Sequence, residues 1–271
     1  MNVYNLHIGF VGGGQMAEAI IRGLLAAPLA QREHLVVLEP DGSRCSHLQA
    51  QYGIHCAADA EELCRSCQVL IAAVKPQLAD QALNACNPLV TNDHLVISIM
   101  AGVSLGDLAV IFTEQVRLIR VMSNTPALVL AAASAFSANA RATAEDRKVA
   151  QALFTAVGTC VEVDEQQLDA VTGLSGSGPG YVFTFIEAMI DGGVLAGLPR
   201  PLAEQLVLQT VYGSARLALE SGEHPAVLKG RVTSPGGTTI TGLQVLEEGA
   251  FRGLVMNAVE AATARSRELG A

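Results

Sequence analysis

A short apolar run, Leu6 to Val11, ends in Gly12-Gly13-Gly14, and after Gln15-Met16 a helical pattern runs from Ala17 to Ala27 and stops at Pro28. No other feature constrains the fold as strongly. The pattern is G-x-G-x-x-G/A set between a buried strand and a helix. The first glycine allows the tight turn, Gly14 lets bare backbone approach a pyrophosphate, and the small Ala17 lets helix and strand pack closely. The free N–H groups and dipole at the helix start favour negative charge there. Gly12, Gly13 and Gly14 are therefore candidate dinucleotide contacts; the plainer alternative is a turn that needs glycine only for its geometry. Glu39 ends the second strand, where an acid would bind the ribose hydroxyls of NAD. Ser43 and Arg44 follow and would suit the 2′-phosphate of NADP instead. Spacing leaves both readings open, along with a third in which Glu39 and Arg44 form a solvated turn.

Strand and helix signals alternate after the glycine turn. Strands are expected at Leu35–Leu38, near Ile54–Cys56, and at Val69–Val74, Leu95–Ile99, Arg117–Val121 and Ser134–Ser137. Helices are expected between them: a segment ending near Tyr52 with Gly53 as its cap, then Ala60–Cys67, Gln77–Cys86 and Leu105–Ile111. Such alternation implies parallel pairing in an α/β, doubly wound Rossmann-type sheet. From Ala144 on, long helical patterns take over: Ala144–Val157, Tyr181–Ala196, Pro201–Glu220, Thr239–Glu248 and Phe251–Leu269. The expected division is a dinucleotide-binding domain over 1–164 and an all-α substrate-binding and dimerisation domain over 165–271.

Bulk properties narrow the function classes. Half of the 271 residues are hydrophobic and 16% are charged, which suits a sizeable core. A net charge of -9 argues against nucleic acid or an anionic membrane as partner. Met1 to Phe10 carry no basic, apolar leader pattern and no run reaches a membrane span, so a soluble, cytoplasmic protein is expected. The six cysteines show no disulfide framework. Cys64 and Cys67 form a lone C-x-x-C, read as two reduced thiols one helical turn apart rather than a metal or redox site. The histidines show no metal spacing, and no metal is expected.

Further segments carry a resemblance: Ala73-Val74-Lys75-Pro76-Gln77, Ser98-Ile99-Met100-Ala101-Gly102-Val103, Arg120 to Ala127 with its Asn124-Thr125-Pro126, Gly173-Leu174-Ser175-Gly176-Ser177-Gly178-Pro179, and Val232-Thr233-Ser234-Pro235-Gly236-Gly237-Thr238-Thr239-Ile240. In order and spacing the chain resembles the pyrroline-5-carboxylate reductase family over essentially its whole length, and the last segment is the most specific. The resemblance implies hydride transfer from NADPH, with NADH possible, to the C=N bond of 1-pyrroline-5-carboxylate, giving L-proline. It implies that Gln15 and Met16 lie against the pyrophosphate and that Val74, Lys75, Pro76 and Ala101 line the nicotinamide and its ribose. Glu165 would lie near the substrate, and Ser234, Gly236, Gly237, Thr238 and Thr239 would form the substrate loop. It also implies a homodimer with interlocked helices, often built further into rings such as a decamer. The chain departs from the family where Ser123 stands for a usual Pro, where Gly180 stands for a frequent Ala, and where Arg231 replaces an Asn that would help to bind cofactor.

The loop suits a small anionic imine. Its two glycines bare backbone N–H groups to a carboxylate, and the following helix adds its dipole. Reduction requires a proton on the ring nitrogen, and no His or Lys is obviously placed to supply it. The expectation is that the imine binds protonated and that Thr239 orients the nitrogen or relays a proton; the alternative is that Thr238 and Thr239 only cap a helix. His224, in Glu223-His224-Pro225, reads as a turn or cap rather than a catalytic group. Other two-domain dehydrogenases place a catalytic Lys on a long central helix, and neither Tyr181–Ala196 nor Pro201–Glu220 contains one. A reductase of another cyclic imine or keto acid, and a non-catalytic dinucleotide-binding protein, remain as alternatives.

Overall fold

The structure is a computed structural model that describes residues 5–113 and 115–270. Its compact units are two: the chain through Ser177 together with the closing segment from Ala261, and Gly178–Glu260.

The first unit is built on one eight-stranded sheet. Its strands are β1 Ile8–Val11, β2 Leu35–Leu38, β3 His55–Cys56, β4 Val69–Ala72, β5 Leu95–Ser98, β6 Arg117–Met122, β7 Ala132–Ala138 and β8 Gly158–Glu162. They lie in the order β3-β2-β1-β4-β5-β6-β7-β8, with β3 through β6 parallel, β7 antiparallel to β6 and β8 parallel to β7. The expected doubly wound sheet is present, and sequence reasoning placed seven of its strands within a few residues. It did not find β8, an edge strand on which Cys160 is the one buried residue, so no apolar run marks it.

The central strands are buried on both faces, and their successive side chains alternate between two cores. Ile8, Phe10, Leu35, Val37, Val69, Ile71 and Ile97 enter one core, with helices α1 (Gln15–Ala26), α2 (Gly42–Tyr52) and α6 (Ala144–Thr155) packed over it. Val11, Val36, Leu70, Ala72 and Val96 enter the other, beneath α3 (Ala60–Ser66), α4 (Ala79–Cys86) and α5 (Leu105–Phe112). Local chemistry fixes the helix ends. Asp41 and Asp59 cap α2 and α3, reciprocal capping boxes start α5 at Ser104/Asp107 and α6 at Thr143/Asp146, and Gly53 closes α2 in the left-handed region. Cys64 and Cys67 are both buried against the second core, as is Cys86.

After β8, a short helix α7 (Leu168–Val171) passes into a π-helical turn over Thr172–Gly176. The Asn124 side chain ties this turn down, donating to the Ser175 carbonyl at 3.0 Å and accepting from the Ala133 amide at 3.0 Å. Ser123, where the family usually has Pro, accepts a hydrogen bond from the buried Ser134 hydroxyl at 2.9 Å. The departure thus satisfies a buried polar group. The expected boundary at 164/165 falls between β8 and the 3-10 turn Glu165–Gln167, whereas the compact units divide after Ser177.

The second unit is all helical: α8 (Gly178–Leu195), α9 (Arg200–Ser221), α10 (Pro225–Arg231), α11 (Thr238–Glu248) and the first part of α12 (Phe251–Leu269). Tyr181 Oη donates to the Ala258 carbonyl at 3.3 Å, and the Phe185 and Phe251 rings lie 6.1 Å apart. Among its described residues, Ala203 and Val207 are the buried hydrophobic ones; Phe183, Leu206, Leu208, Leu254 and Met256 are exposed.

Candidate dinucleotide cleft and substrate loop

The chain reverses its order in the sheet between β1 and β4, and the glycine turn sits at the C-terminal end of β1, the position where open α/β sheets bind ligands. Gly12 has φ +97°, and its amide donates to the Leu38 carbonyl at 2.9 Å. A Cβ there would stand 2.9 Å from Val74 Cγ1 and 3.0 Å from the Ala73 carbonyl oxygen. Gly14, the N-cap of α1, is different: nothing lies within 4 Å of where its Cβ would be, and no side chain caps the helix. Ala17 is fully buried, as close helix–strand packing requires.

A cleft of about 590 Å3 opens here, lined by Val11, Gly12, Gly14, Leu38, Glu39, Pro40, Ala57, Ala58, Ala73, Val74, Lys75, Leu78, Gln81, Ala82 and Ala85. The size and largely apolar lining suit a cofactor. Of the expected contacts, Gly12, Gly14, Glu39, Val74 and Lys75 line it. Gln15 and Met16 occupy the first turn of α1, Pro76 opens the 3-10 turn Pro76–Leu78 with its side chain outside the described ones, and Ala101 is exposed in the turn after β5. Sequence reasoning missed the wall supplied by Leu78, Gln81, Ala82 and Ala85. Their 3–4-residue spacing on one face was the available signal.

The two cofactor readings resolve into different geometries. The Glu39 carboxylate accepts from the amides of Gly13 at 2.8 Å and Asp41 at 3.0 Å, which holds it at the cleft wall. Arg44 is turned to the glycine turn itself. Its Nε donates to the Gly13 carbonyl at 2.5 Å, and one Nη meets the Gly14 carbonyl at 3.3 Å and Glu18 Oε2 at 2.5 Å. Ser43 Oγ donates to Asp41 Oδ1 at 2.7 Å. Ser43 and Arg44 are thus engaged away from the cleft lining, and Arg44 works as a brace.

Glu18 is the acid of that brace. Burial pushes its carboxyl up, but hydrogen bonds from His47, Arg44 and Tyr52 outweigh this and hold it at about 2. Its folded value lies below the ordinary 4.5, so its stabilisation is complete above 4.5 and is lost as pH falls toward about 2. The expected outcome is that Glu18→Gln lowers Tm at neutral pH and that the gap to the wild-type protein closes as pH drops through this window. Thermal melts at stepped pH check it; a gap independent of pH would refute the assignment.

Glu165 belongs to a separate concavity of about 270 Å3 lined by Gly102, Ser104, Arg120, Glu165, Gln166, Asp169, Arg267 and Gly270. Its Oε1 accepts from the Leu105 amide at 2.7 Å and from Arg120 at 3.3 Å.

The loop before α11 is a turn that its sequence dictates. Pro235 follows Ser234, Gly236 takes φ +64°, and the Gly237 amide donates to the Ser234 carbonyl at 3.0 Å. Gly237 is the N-cap of α11 and no side chain caps it, so Thr238 and Thr239 are the first two helical residues rather than caps. Their amides are among those no helical carbonyl can reach. Among the described residues, the Thr239 hydroxyl makes no hydrogen bond. Just upstream, His224 caps α10, its Nδ1 accepting from the Ala226 amide at 3.2 Å, as a turn or cap role requires. Arg231 pairs through both terminal nitrogens with the Glu223 carboxylate, at 2.5 and 2.6 Å, tying the end of α10 to the turn before its cap.

A parallel sheet that reverses order beside an open, glycine-turned cleft defines a Rossmann-type dinucleotide-binding protein. The family model for NADP oxidoreductase coenzyme F420-dependent proteins matches residues 7–102, and that for pyrroline-5-carboxylate reductase dimerisation matches residues 165–269. A pyrroline-5-carboxylate reductase of Synechocystis is 49% identical over 98% of this chain and 99% of that protein. The pyrroline carboxylate reductase of Plasmodium falciparum with NADP bound superposes with a TM-score of 0.88 at 36% identity, covering 98% and 99% of the two chains. That of Coxiella burnetii gives 0.94 at 33% identity over the same shares. The chain belongs to the pyrroline-5-carboxylate reductase family.

Proposed function

We propose that the chain reduces the C=N bond of 1-pyrroline-5-carboxylate to L-proline, the last step of proline biosynthesis, with NADPH or NADH as donor. The observation that carries this reading is the Ser234–Thr239 turn, which bares helix-start amides and a free threonine hydroxyl in a family whose relatives carry this activity in their names. When bound, the reduced nicotinamide supplies the hydride. The chain does the rest. Gly12, Gly13, Gly14, Gln15 and Met16 seat the pyrophosphate, Glu39 forms the ribose end with Ser43 and Arg44 bracing the turns behind it, and Val74, Lys75, Pro76 and Ala101 flank the nicotinamide. Ser234, Gly236, Gly237 and Thr238 hold the substrate carboxylate through backbone amides and the helix dipole, with Glu165 near the substrate. The imine binds protonated, and the Thr239 hydroxyl orients its nitrogen or relays a proton.

The domains of this reading are a dinucleotide-binding part over 1–164 and a substrate-binding and dimerisation part over 165–271. A homodimer follows from the second compact unit, whose helices leave most of their apolar residues exposed; such a unit gains its core by packing on a second copy. Dimers assembling further to a decamer, and a cytoplasmic location, complete the proposal. No helix among the described residues is long and apolar enough to cross a membrane.

Steady-state oxidation of NADPH and NADH with pyrroline-5-carboxylate tests the reading. Turnover with formation of proline is expected. Because Glu39 lines the cleft and Arg44 is engaged elsewhere, Glu39→Gln should raise the ratio of kcat/KM for NADPH over NADH by about fivefold, the effect of one lost or gained hydrogen bond. Dinucleotide binding without turnover would shift the function to another cyclic imine or to dinucleotide sensing.

A further inference from the structure

Behind the ribose end of the cleft lie two thiols that neither binding nor catalysis uses. Cys45 sits in the first turn of α2, and its Sγ donates to the carbonyl of Glu39 at 3.3 Å. Cys56 ends β3, and its Sγ donates to the carbonyl of Cys45 at 3.7 Å, so its sulfur lies against the other cysteine's own backbone. Both are partly exposed, whereas Cys64, Cys67, Cys86 and Cys160 are buried. The residues joined to this pair form the cleft wall: Glu39 on one side, and Ala57 and Ala58 directly after Cys56 on the other.

We propose that Cys45 and Cys56 are an oxidative modification site, a dithiol that a peroxide converts to a disulfide and that thereby lowers dinucleotide affinity. This rests on the reading of the cleft as the dinucleotide site. The balance is two thiols plus hydrogen peroxide giving one disulfide and two waters. The Cys45 thiolate attacks a peroxide oxygen, the O–O bond breaks, and the departing oxygen leaves as water, which makes a sulfenic acid on Cys45. The Cys56 sulfur then attacks the Cys45 sulfur, the S–S bond forms, and the sulfenic hydroxyl leaves with the Cys56 proton as the second water. Burial, with Cys45 and Glu39 close by, pushes the Cys56 thiol up to about 12, so Cys56 suits the resolving role rather than the attacking one.

The link to binding is direct. A disulfide holds its β-carbons within about 4.5 Å, so it ties the start of α2 to the end of β3. The Cys45 thiol then no longer donates to the Glu39 carbonyl, and Glu39 and Ala57–Ala58 shift with the strands that carry them. The buried cysteines are shielded from the oxidant and act as an internal control.

The test uses the full chain, reduced and then treated with hydrogen peroxide. Peptide mapping should find a Cys45–Cys56 cross-link with the loss of two hydrogens, reversed by dithiothreitol. Fluorescence titration of NADPH and NADH should show a Kd about fivefold higher after oxidation, the equivalent of one hydrogen bond lost. Cys45→Ser and Cys56→Ser should each bind dinucleotide like the reduced protein and show no oxidative change. Absence of that cross-link, or a cross-link with unchanged Kd, overturns the proposal. Failure of the reduced protein to bind either dinucleotide would instead overturn the cleft reading.

Discussion

Thr239→Ala is expected to lower kcat by about 100-fold while dinucleotide affinity stays within about twofold, the low end of what one positioned proton-transfer group contributes. The side chain is the second residue of α11, after a glycine cap. Removing it therefore deletes no capping bond, and alanine is the better helix former, so the variant should melt no lower than the parent. Any loss of turnover must then come from the hydroxyl. Thr239→Ser keeps that hydroxyl and should recover most of kcat. KM for the imine should rise little, because the carboxylate is held by backbone amides of the turn, which the substitution leaves in place. Stopped-flow hydride transfer and NADPH titration on the three proteins separate these quantities. An unchanged kcat in Thr239→Ala would reduce Thr239 to a helix residue and leave solvent as the proton source.

β1, β2, β4 and β5 could be read in the sequence because strands buried on both faces are short continuous apolar runs; Leu35–Leu38 falls where it was expected, residue for residue. β8 could not, since an edge strand with one buried side chain leaves no such run. The seven-residue α10 also escaped, although His224 at its cap and Pro225 at its first turn are both helix-start chemistry. At the site, the glycine turns were legible because their constraint is local. The roles of Glu39 and Arg44 were not, because they depend on partners brought close only by the fold. Gly13 lies 26 residues from Glu39 and 31 from Arg44. Nothing in the spacing says that the arginine braces the turn while the acid faces the cleft. Thr239 lay between: the family pattern marks it, but only the helix start at Thr238 removes its alternative as a cap.

Gly12→Ala and Gly14→Ala, two residues apart, are expected to fail in different ways. Gly12 is closed by its own fold. At φ +97° a side chain is strained, and the atoms its Cβ would meet include the Ala73 carbonyl oxygen at 3.0 Å, which is backbone and cannot rotate away. Backbone strain of this kind costs of order 1–3 kcal/mol. For a unit of this size the substitution should lower Tm by about 5 °C, and dinucleotide binding should weaken with it because the turn is displaced. Gly14 is open: its φ of -66° accepts any residue, and no atom lies within 4 Å of an added Cβ. Gly14→Ala should therefore keep the parent Tm in the absence of ligand. It should nonetheless bind NADPH and NADH at least about tenfold more weakly, because the methyl occupies the space through which the pyrophosphate reaches the backbone. Differential scanning fluorimetry with and without dinucleotide reads both effects in one experiment. The ligand-induced rise in Tm should shrink for both variants, while the unliganded Tm falls only for Gly12→Ala. If Gly14→Ala binds dinucleotide like the parent, the pyrophosphate does not lie over this turn, and the glycines serve the chain geometry alone.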